Sequence, residues 1–136
     1  MRIWPMRATL AAVTLLVAAV LAGCGSPPGP QRIEITIHYS HFDPAQLSVP
    51  IGVPITFVLV NQDPIEHEWL LGDDAFHDRH RTGTEPHHAG RPTEVSIPAL
   101  STVETTITFD APAEWQYICH LPRHEAYGML GTLRIN

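Results

Sequence analysis

Arg32-Ile33-Glu34-Ile35-Thr36-Ile37-His38 decides the fold class, because isoleucine recurs at every second position and polar or charged residues fill the gaps. Side chains alternate across a strand with a period of two, so the stretch reads as a half-buried β-strand rather than an amphipathic helix. The same patterning extends outward to residues 46–49, 55–60, 66–71, 94–97, 103–109, 115–119 and 131–135. Turn formers separate these runs: Asp43-Pro44, Pro50 and Pro54, Asn61 to Pro64, Pro98, and Asp110 to Pro112. About eight short strands at this spacing predict an all-β antiparallel sandwich or barrel, with the proline-bearing segments at its edges.

One connection breaks the rhythm. Residues 72–92 lack strand patterning, and a connection longer than about 12 to 15 residues usually has a function or structure of its own. Asp73-Asp74 are placed to cap a short helix over residues 75–81. This insertion also gathers His77, His80, His87 and His88, a possible secondary site for Cu(II) or zinc, the alternative being a solvated acidic loop. If His67 begins its strand, the insertion leaves that strand roughly 16 Å away, so it is not expected to join a site at His67.

Arg2 and Arg7 precede an apolar run over residues 8–22 that ends in Leu21-Ala22-Gly23-Cys24. Residues 1–23 read as a signal peptide, and the run is short for a membrane span. Leu-Ala-Gly-Cys resembles the bacterial lipobox, which implies lipidation of Cys24 and anchoring to the cell membrane on its extracytoplasmic side. Ordinary cleavage that leaves Cys24 as a thiol, or an uncleaved anchor, is the alternative. Residues 24–31 form a proline- and glycine-rich spacer, and residues 32–136 form one domain, the working count for a chain of this length.

The chain has 14 acidic residues against eight arginines and no lysine, a formal net charge of −6. An acidic surface argues against nucleic acid, whose phosphates require a basic footprint, and favours a positively charged protein partner. Two cysteines in an exported chain suggest one disulfide, but lipidation of Cys24 removes that option. Cys119 is then an unpaired thiol in an oxidising compartment, where coordination to a metal protects it.

The chemistry is concentrated in Tyr117-Ile118-Cys119-His120-Leu121-Pro122-Arg123-His124-Glu125-Ala126-Tyr127-Gly128-Met129, which carries Cys119, His124 and Met129 as Cys-x4-His-x4-Met. A thiolate, imidazoles and a weak axial thioether are the donors of a mononuclear copper electron-transfer site. A further donor must come from a neighbouring strand. His67 is the best candidate: strand alternation places it inward with Ile65, Trp69 and Leu71, while Glu66 and Glu68 point away. Trp115, Tyr117 and Cys119 likewise share a face, so the sulfur enters the core at the end of its strand.

These residues resemble the cupredoxins, the small blue copper proteins related to plastocyanin, azurin and auracyanin, over essentially the whole mature domain. The resemblance implies an eight-stranded Greek-key sandwich holding one type 1 copper, with His67 and His124 as imidazole ligands, Cys119 as the thiolate and Met129 as the axial thioether. Asn61-Gln62-Asp63-Pro64 resembles the polar turn before the upstream ligand. Glu68 stands where many relatives carry a small or amide residue, and Arg123 where the ligand loop commonly has glycine. In relatives an apolar patch surrounds the loop histidine, which here implies Leu121, Pro122 and Ala126 around an electron port at His124. Glu125 and Arg123 would adjust partner choice.

Cys119-His120-x3-His124-x4-Met129 also resembles the last copper-binding segment of multicopper oxidases. The residue before the cysteine is Ile118, however, and no His-x-His pair occurs, so that reading fails. His120 is expected to face solvent, and His38 and His41 are expected at the surface. The leading expectation is a monomeric, membrane-anchored one-electron carrier serving redox protein partners. Its alternative is a copper-binding protein for delivery, buffering or resistance. No open coordination position or acid/base pair supports an enzyme.

Overall fold

The computed structural model describes residues 29–83 and 90–136. Cys24, to which the sequence assigns lipidation, and His87 and His88 of the insertion lie outside the described residues. Among the described residues nine strands form: β1 (Gln31–His38), β2 (His41–Asp43), β3 (Gln46–Val49), β4 (Ile55–Asn61), β5 (His67–Gly72), β6 (Glu94–Ile97), β7 (Thr102–Ile107), β8 (Ala113–Ile118) and β9 (Leu130–Ile135). A helix, α1 (Asp74–Arg81), follows β5. The strand beyond the eight expected is β2, whose three residues are too short to show a period.

The strands make two sheets, ordered β2-β1-β4-β7 and β3-β9-β8-β5-β6. They face each other as an open sandwich rather than a closed barrel. Pairing is antiparallel except for β1 with β4 and β3 with β9, which run parallel. Parallel neighbours cannot be joined by a tight hairpin, so the chain must cross between sheets and return, which is how a strand from mid-chain comes to lie beside the C-terminal ligand loop.

Alternation places Ile35 and Ile37 of β1 and Ile55, Phe57 and Leu59 of β4 in the core, facing Trp69, Leu71, Tyr117 and Leu133 of the second sheet. Complete burial of each such side chain contributes roughly 1.5–3 kcal/mol before entropy is counted. The packing is close where it matters for the site. A Cβ added at Gly131 of β9 would enter the Tyr117 ring, and Tyr117 is fully buried with its hydroxyl donating to the Pro44 carbonyl at 2.7 Å.

The second sheet is covered on its outer side as well. Leu70 and Ile118 are paired in register between β5 and β8, are buried, and stand apart from the central core cluster. Helix α1 contacts both strands. Its start is set by Asp73, whose carboxylate accepts the Phe76 N–H at 2.8 Å, and Gly72 permits the close approach because a Cβ there would lie 2.5 Å from Phe76.

Candidate metal centre

His67 is the first residue of β5, Cys119 follows the last residue of β8, and His124 lies in the loop between β8 and β9. Their ligand atoms lie within 4.8 Å of one another. Cys119 Sγ is 3.2 Å from His124 Nδ1, and the His67 and His124 ring centroids are 5.0 Å apart. Met129 is fully buried immediately before β9. It is tied to the same loop by its N–H, which donates to the His124 carbonyl at 3.0 Å, and by its carbonyl, which accepts the Cys119 N–H at 3.2 Å.

The loop that carries these donors is tight. A 3-10 turn over Glu125–Tyr127 ends at Gly128 with φ 93°, and Arg123 has φ 72°, the left-handed conformation that favours glycine. Arg123, a departure noted in the sequence, thus adopts a backbone conformation that glycine adopts without strain. Its guanidinium lies 5.4 Å from the centre of the Tyr127 ring.

An outer layer orients the inner one. Asp63 sits between β4 and β5, where one carboxylate oxygen accepts the Tyr39 N–H at 2.8 Å and the other accepts the Ser40 N–H at 2.8 Å and His67 Nε2–H at 2.9 Å. Burial works to raise the Asp63 pKa, but the Ser40 and Tyr39 N–H groups and the His67 ring outweigh it, and Asp63 is held below the usual carboxylate value. Asn61 fixes this turn: its amide donates to the carbonyls of Ile65, Ile97 and Pro98, and its oxygen accepts the Asp63 N–H at 2.9 Å. The polar turn was visible in the sequence. The carboxylate's bond to His67 was missed, although an acid four residues before a candidate ligand histidine was the available signal.

The donors are tuned by burial. It pushes the Cys119 thiol up to about 11, opposed by the N–H groups of Glu68, 3.4 Å from Sγ, and Leu121. Burial, helped by the neighbouring His67, lowers His124 and keeps it neutral, the form a metal takes. His67 Nδ1 is buried with no hydrogen-bond partner, while Nε2 is committed to Asp63. An orphaned buried nitrogen beside a thiol and a second imidazole fits a metal ion, and one sulfur with two nitrogens near a methionine fits copper in a type 1 arrangement.

The remaining histidines divide into two groups. His38 and His41 are exposed. His120 does not face solvent as expected: its side chain is 7 % exposed, and its Nε2 lies 2.9 Å from Nδ1 of His77, which is fully buried. Alternation does turn His120 away from the core, as it turns Ile118, but that side of the sheet is covered by α1. The chain leaves the sheet at Gly72, opposite Gln116, and α1 returns along the outside of β8. His77 and His80 are therefore beside His120 although they are not in the His67–Cys119–His124 cluster. Burial, opposed by Glu125 and reinforced by His77, lowers His120 to about 4, and burial lowers His77 too. Leu121 packs against the core, while Pro122 and Ala126 are exposed around the half-buried His124.

A two-sheet sandwich that delivers a cysteine and two histidines to one buried point has the architecture of the small copper proteins. The chain belongs to the cupredoxin-like family, whose domain model matches residues 11–131. It is similar to the copper-resistant cuproprotein CopI of Pseudomonas aeruginosa, with 25 % identity over 77 % of this chain and 76 % of that one. The CopI of Rubrivivax gelatinosus is 33 % identical over 68 % of this chain and 58 % of its own length. Among solved structures, auracyanin A, a blue copper protein of Chloroflexus aurantiacus, superposes with a TM-score of 0.63 and 27 % identity over 79 % of this chain and all of that one.

Proposed function

We propose that the protein is a mononuclear type 1 copper protein that passes single electrons between redox partners outside the cytoplasmic membrane, tethered there through a lipidated Cys24. The observation that carries this reading is the preformed donor set, in which His67, Cys119 and His124 already converge and His67 Nδ1 has no other partner. Bound copper supplies a one-electron couple between Cu(II) and Cu(I).

The chain's own residues do the rest. Asp63 fixes the tautomer and plane of the His67 ring, so that Nδ1 is the basic nitrogen. The Glu68 N–H holds the Cys119 sulfur, and the antiparallel pairing of β5 with β8 fixes the spacing between the two donors. Donors held by a sheet move little when the charge of the site changes, which favours rapid exchange over metal release. His124 is only half covered, and with Leu121, Pro122 and Ala126 it offers a small apolar contact for a partner. The acidic balance of the chain favours cationic partners, and the carrier works as a monomer rather than as an enzyme.

A second reading, copper delivery, buffering or resistance, is favoured by the name of the two CopI relatives and by the histidines of the insertion. Loading the full chain with copper and recording its visible spectrum and reduction kinetics separates the two. The carrier reading expects an intense thiolate-to-copper band, lost in Cys119→Ser, with fast reversible reduction. A colourless protein that binds several coppers, and whose deletion changes only copper tolerance, refutes it.

A further inference from the structure

Helix α1 grips the ligand loop at two points. His77 and Arg81 are four residues apart, so they stand on one face of α1, one turn after the other. A carbonyl only accepts, so the buried His77 ring donates through Nε2 to Gln116 O at 3.0 Å, and its Nδ1 accepts from His120 Nε2–H at 2.9 Å. Arg81 presents one side of its guanidinium to Glu125: Nε lies 3.1 and 3.0 Å from the two carboxylate oxygens, and Nη2 lies 2.6 Å from one of them. Its Nη1 donates to Asp78 at 2.7 Å, which holds the guanidinium to its own helix.

The two residues gripped are the immediate successors of two donors: His120 follows Cys119, and Glu125 follows His124. Glu125 is a handle on a closed unit. It opens the 3-10 turn, its carbonyl accepts the Gly128 N–H at 2.9 Å, and the His124 carbonyl accepts the Tyr127 and Met129 N–H groups at 3.1 and 3.0 Å. A pull on the Glu125 carboxylate therefore moves His124 and Met129 together. His120 lies on the limb that leaves β8, and Glu125 on the limb that returns to β9. The spacing of His77 and Arg81 along one helix is thus transmitted to the spacing of Cys119 and His124, whose Sγ and Nδ1 are 3.2 Å apart.

An ion pair at a protein surface ordinarily contributes little, and an arginine in the last turn of a helix is favourable there without any distant partner. Two features set this pair apart. The guanidinium commits a fork to one carboxylate, the geometry that gives an ion pair strength and direction, and that carboxylate adjoins a donor histidine. We propose that Arg81 is a positioning residue of the metal centre: through Glu125 it sets where His124 stands relative to Cys119, with His77 as the counter-anchor. This role rests on the copper-carrier reading above and gives the insertion a part in it. Helix α1 supplies no donor, but it holds the donor geometry constant while the charge of the site changes.

A double-mutant cycle of R81Q and E125Q tests the role, because Glu125 also lies 3.4 Å from His120 Nδ1 and neither single variant isolates the Arg81 link. Amide hydrogen exchange of the metal-free full chain is read first. Each single variant should speed exchange of the Tyr127, Gly128 and Met129 amides roughly three- to tenfold, with β4 unchanged and the double variant no faster than the faster single one. In the copper-loaded chain both variants should change the position or intensity of the thiolate-to-copper band. Copper should also pass to a chelator about tenfold faster, the lower end of the range for residues that support metal ligands. If R81Q loses α1, read from exchange of the His77 amide, E125Q decides, because it leaves every side chain of α1 in place. Loop exchange that is unaltered in both single variants overturns the proposal, as do rate increases that multiply in the double variant. So does a loosened loop with an unaltered band, which leaves Arg81 a stabilising ion pair and no more. A wild-type chain without a thiolate band counts against the electron-carrier reading alone, and exchange in the metal-free loop still decides whether Arg81 holds it.

Discussion

Replacing Asp63 by asparagine keeps the shape of the outer layer and removes its charge. Both carboxylate oxygens are used: one accepts Tyr39 N–H, and the other accepts Ser40 N–H and His67 Nε2–H. An amide has only one acceptor oxygen, so at best it keeps the Ser40 and His67 bonds and leaves the Tyr39 N–H facing an NH2 group. The loss of one acceptor costs about 1–3 kcal/mol, and the two surviving bonds lose their charge assistance, which roughly halves them. The metal-free variant should therefore be destabilised by about 2–4 kcal/mol in urea unfolding. A second readout follows from the charge. Loss of an outer carboxylate on a ligating histidine costs about 10–100-fold in metal affinity, and the more highly charged Cu(II) bears most of it. At 59 mV per tenfold for one electron, the reduction potential should rise by roughly 60–120 mV. Protein-film voltammetry of wild type and Asp63→Asn measures the shift. A potential that stays the same or falls, in a variant showing the expected loss of metal-free stability, refutes the role of Asp63 as an electrostatic partner of the site.

Three further outcomes follow from the packing and protonation described above. Gly131→Ala drives a Cβ into the ring of the fully buried Tyr117, and Gly72→Ala drives one into Phe76 down to its own Cβ, which moves only with the α1 backbone, so each should cost about 1–3 kcal/mol; urea midpoints measure both. The metal-free protein should lose stability as pH falls from about 6.5 towards 4. Unfolded imidazoles near 6.5 take up protons there that His120, held at about 4, and the lowered His77 refuse, so the stability is full above 6.5 and is lost at up to about 1.4 kcal/mol per pH unit per ring. His120→Gln should flatten that decline. With its thiol pushed to about 11, Cys119 in the metal-free protein should react with iodoacetamide at pH 8 roughly 200-fold more slowly than a free cysteine of pKa near 8.5, from the thiolate fraction alone.

Periodicity made the strands legible because β1, β4 and β9 each bury one face and expose or half-expose the other. The donors were legible because Cys119 and His67 stand at strand ends with the inward phase. Asp73 announced α1 through its capping side chain. What stayed hidden was the position of α1, since a local capping signal says where a helix begins and nothing about which surface it covers. Two clues were nevertheless present. Leu70 and Ile118 are apolar at outward phases, and an outward apolar pair implies a covering element. With that element in place, His120 meets His77 instead of water. The bond from Asp63 to His67 required a tertiary turn, closed by Asn61 across three carbonyls, that no period in the sequence encodes.

The cover over Leu70 and Ile118 also governs how the domain comes apart. Strands β5 and β8 have side chains packed on both faces, so neither can fray without first undocking α1 or opening the sandwich. Their amide protons should be exchanged only through global unfolding, while those of the outlying β2 and β7 exchange through local openings. Since His67 begins one of these strands and Cys119 ends the other, two of the donors belong to the last unit to dissolve. The spacing between these two donors is therefore fixed until that unit opens.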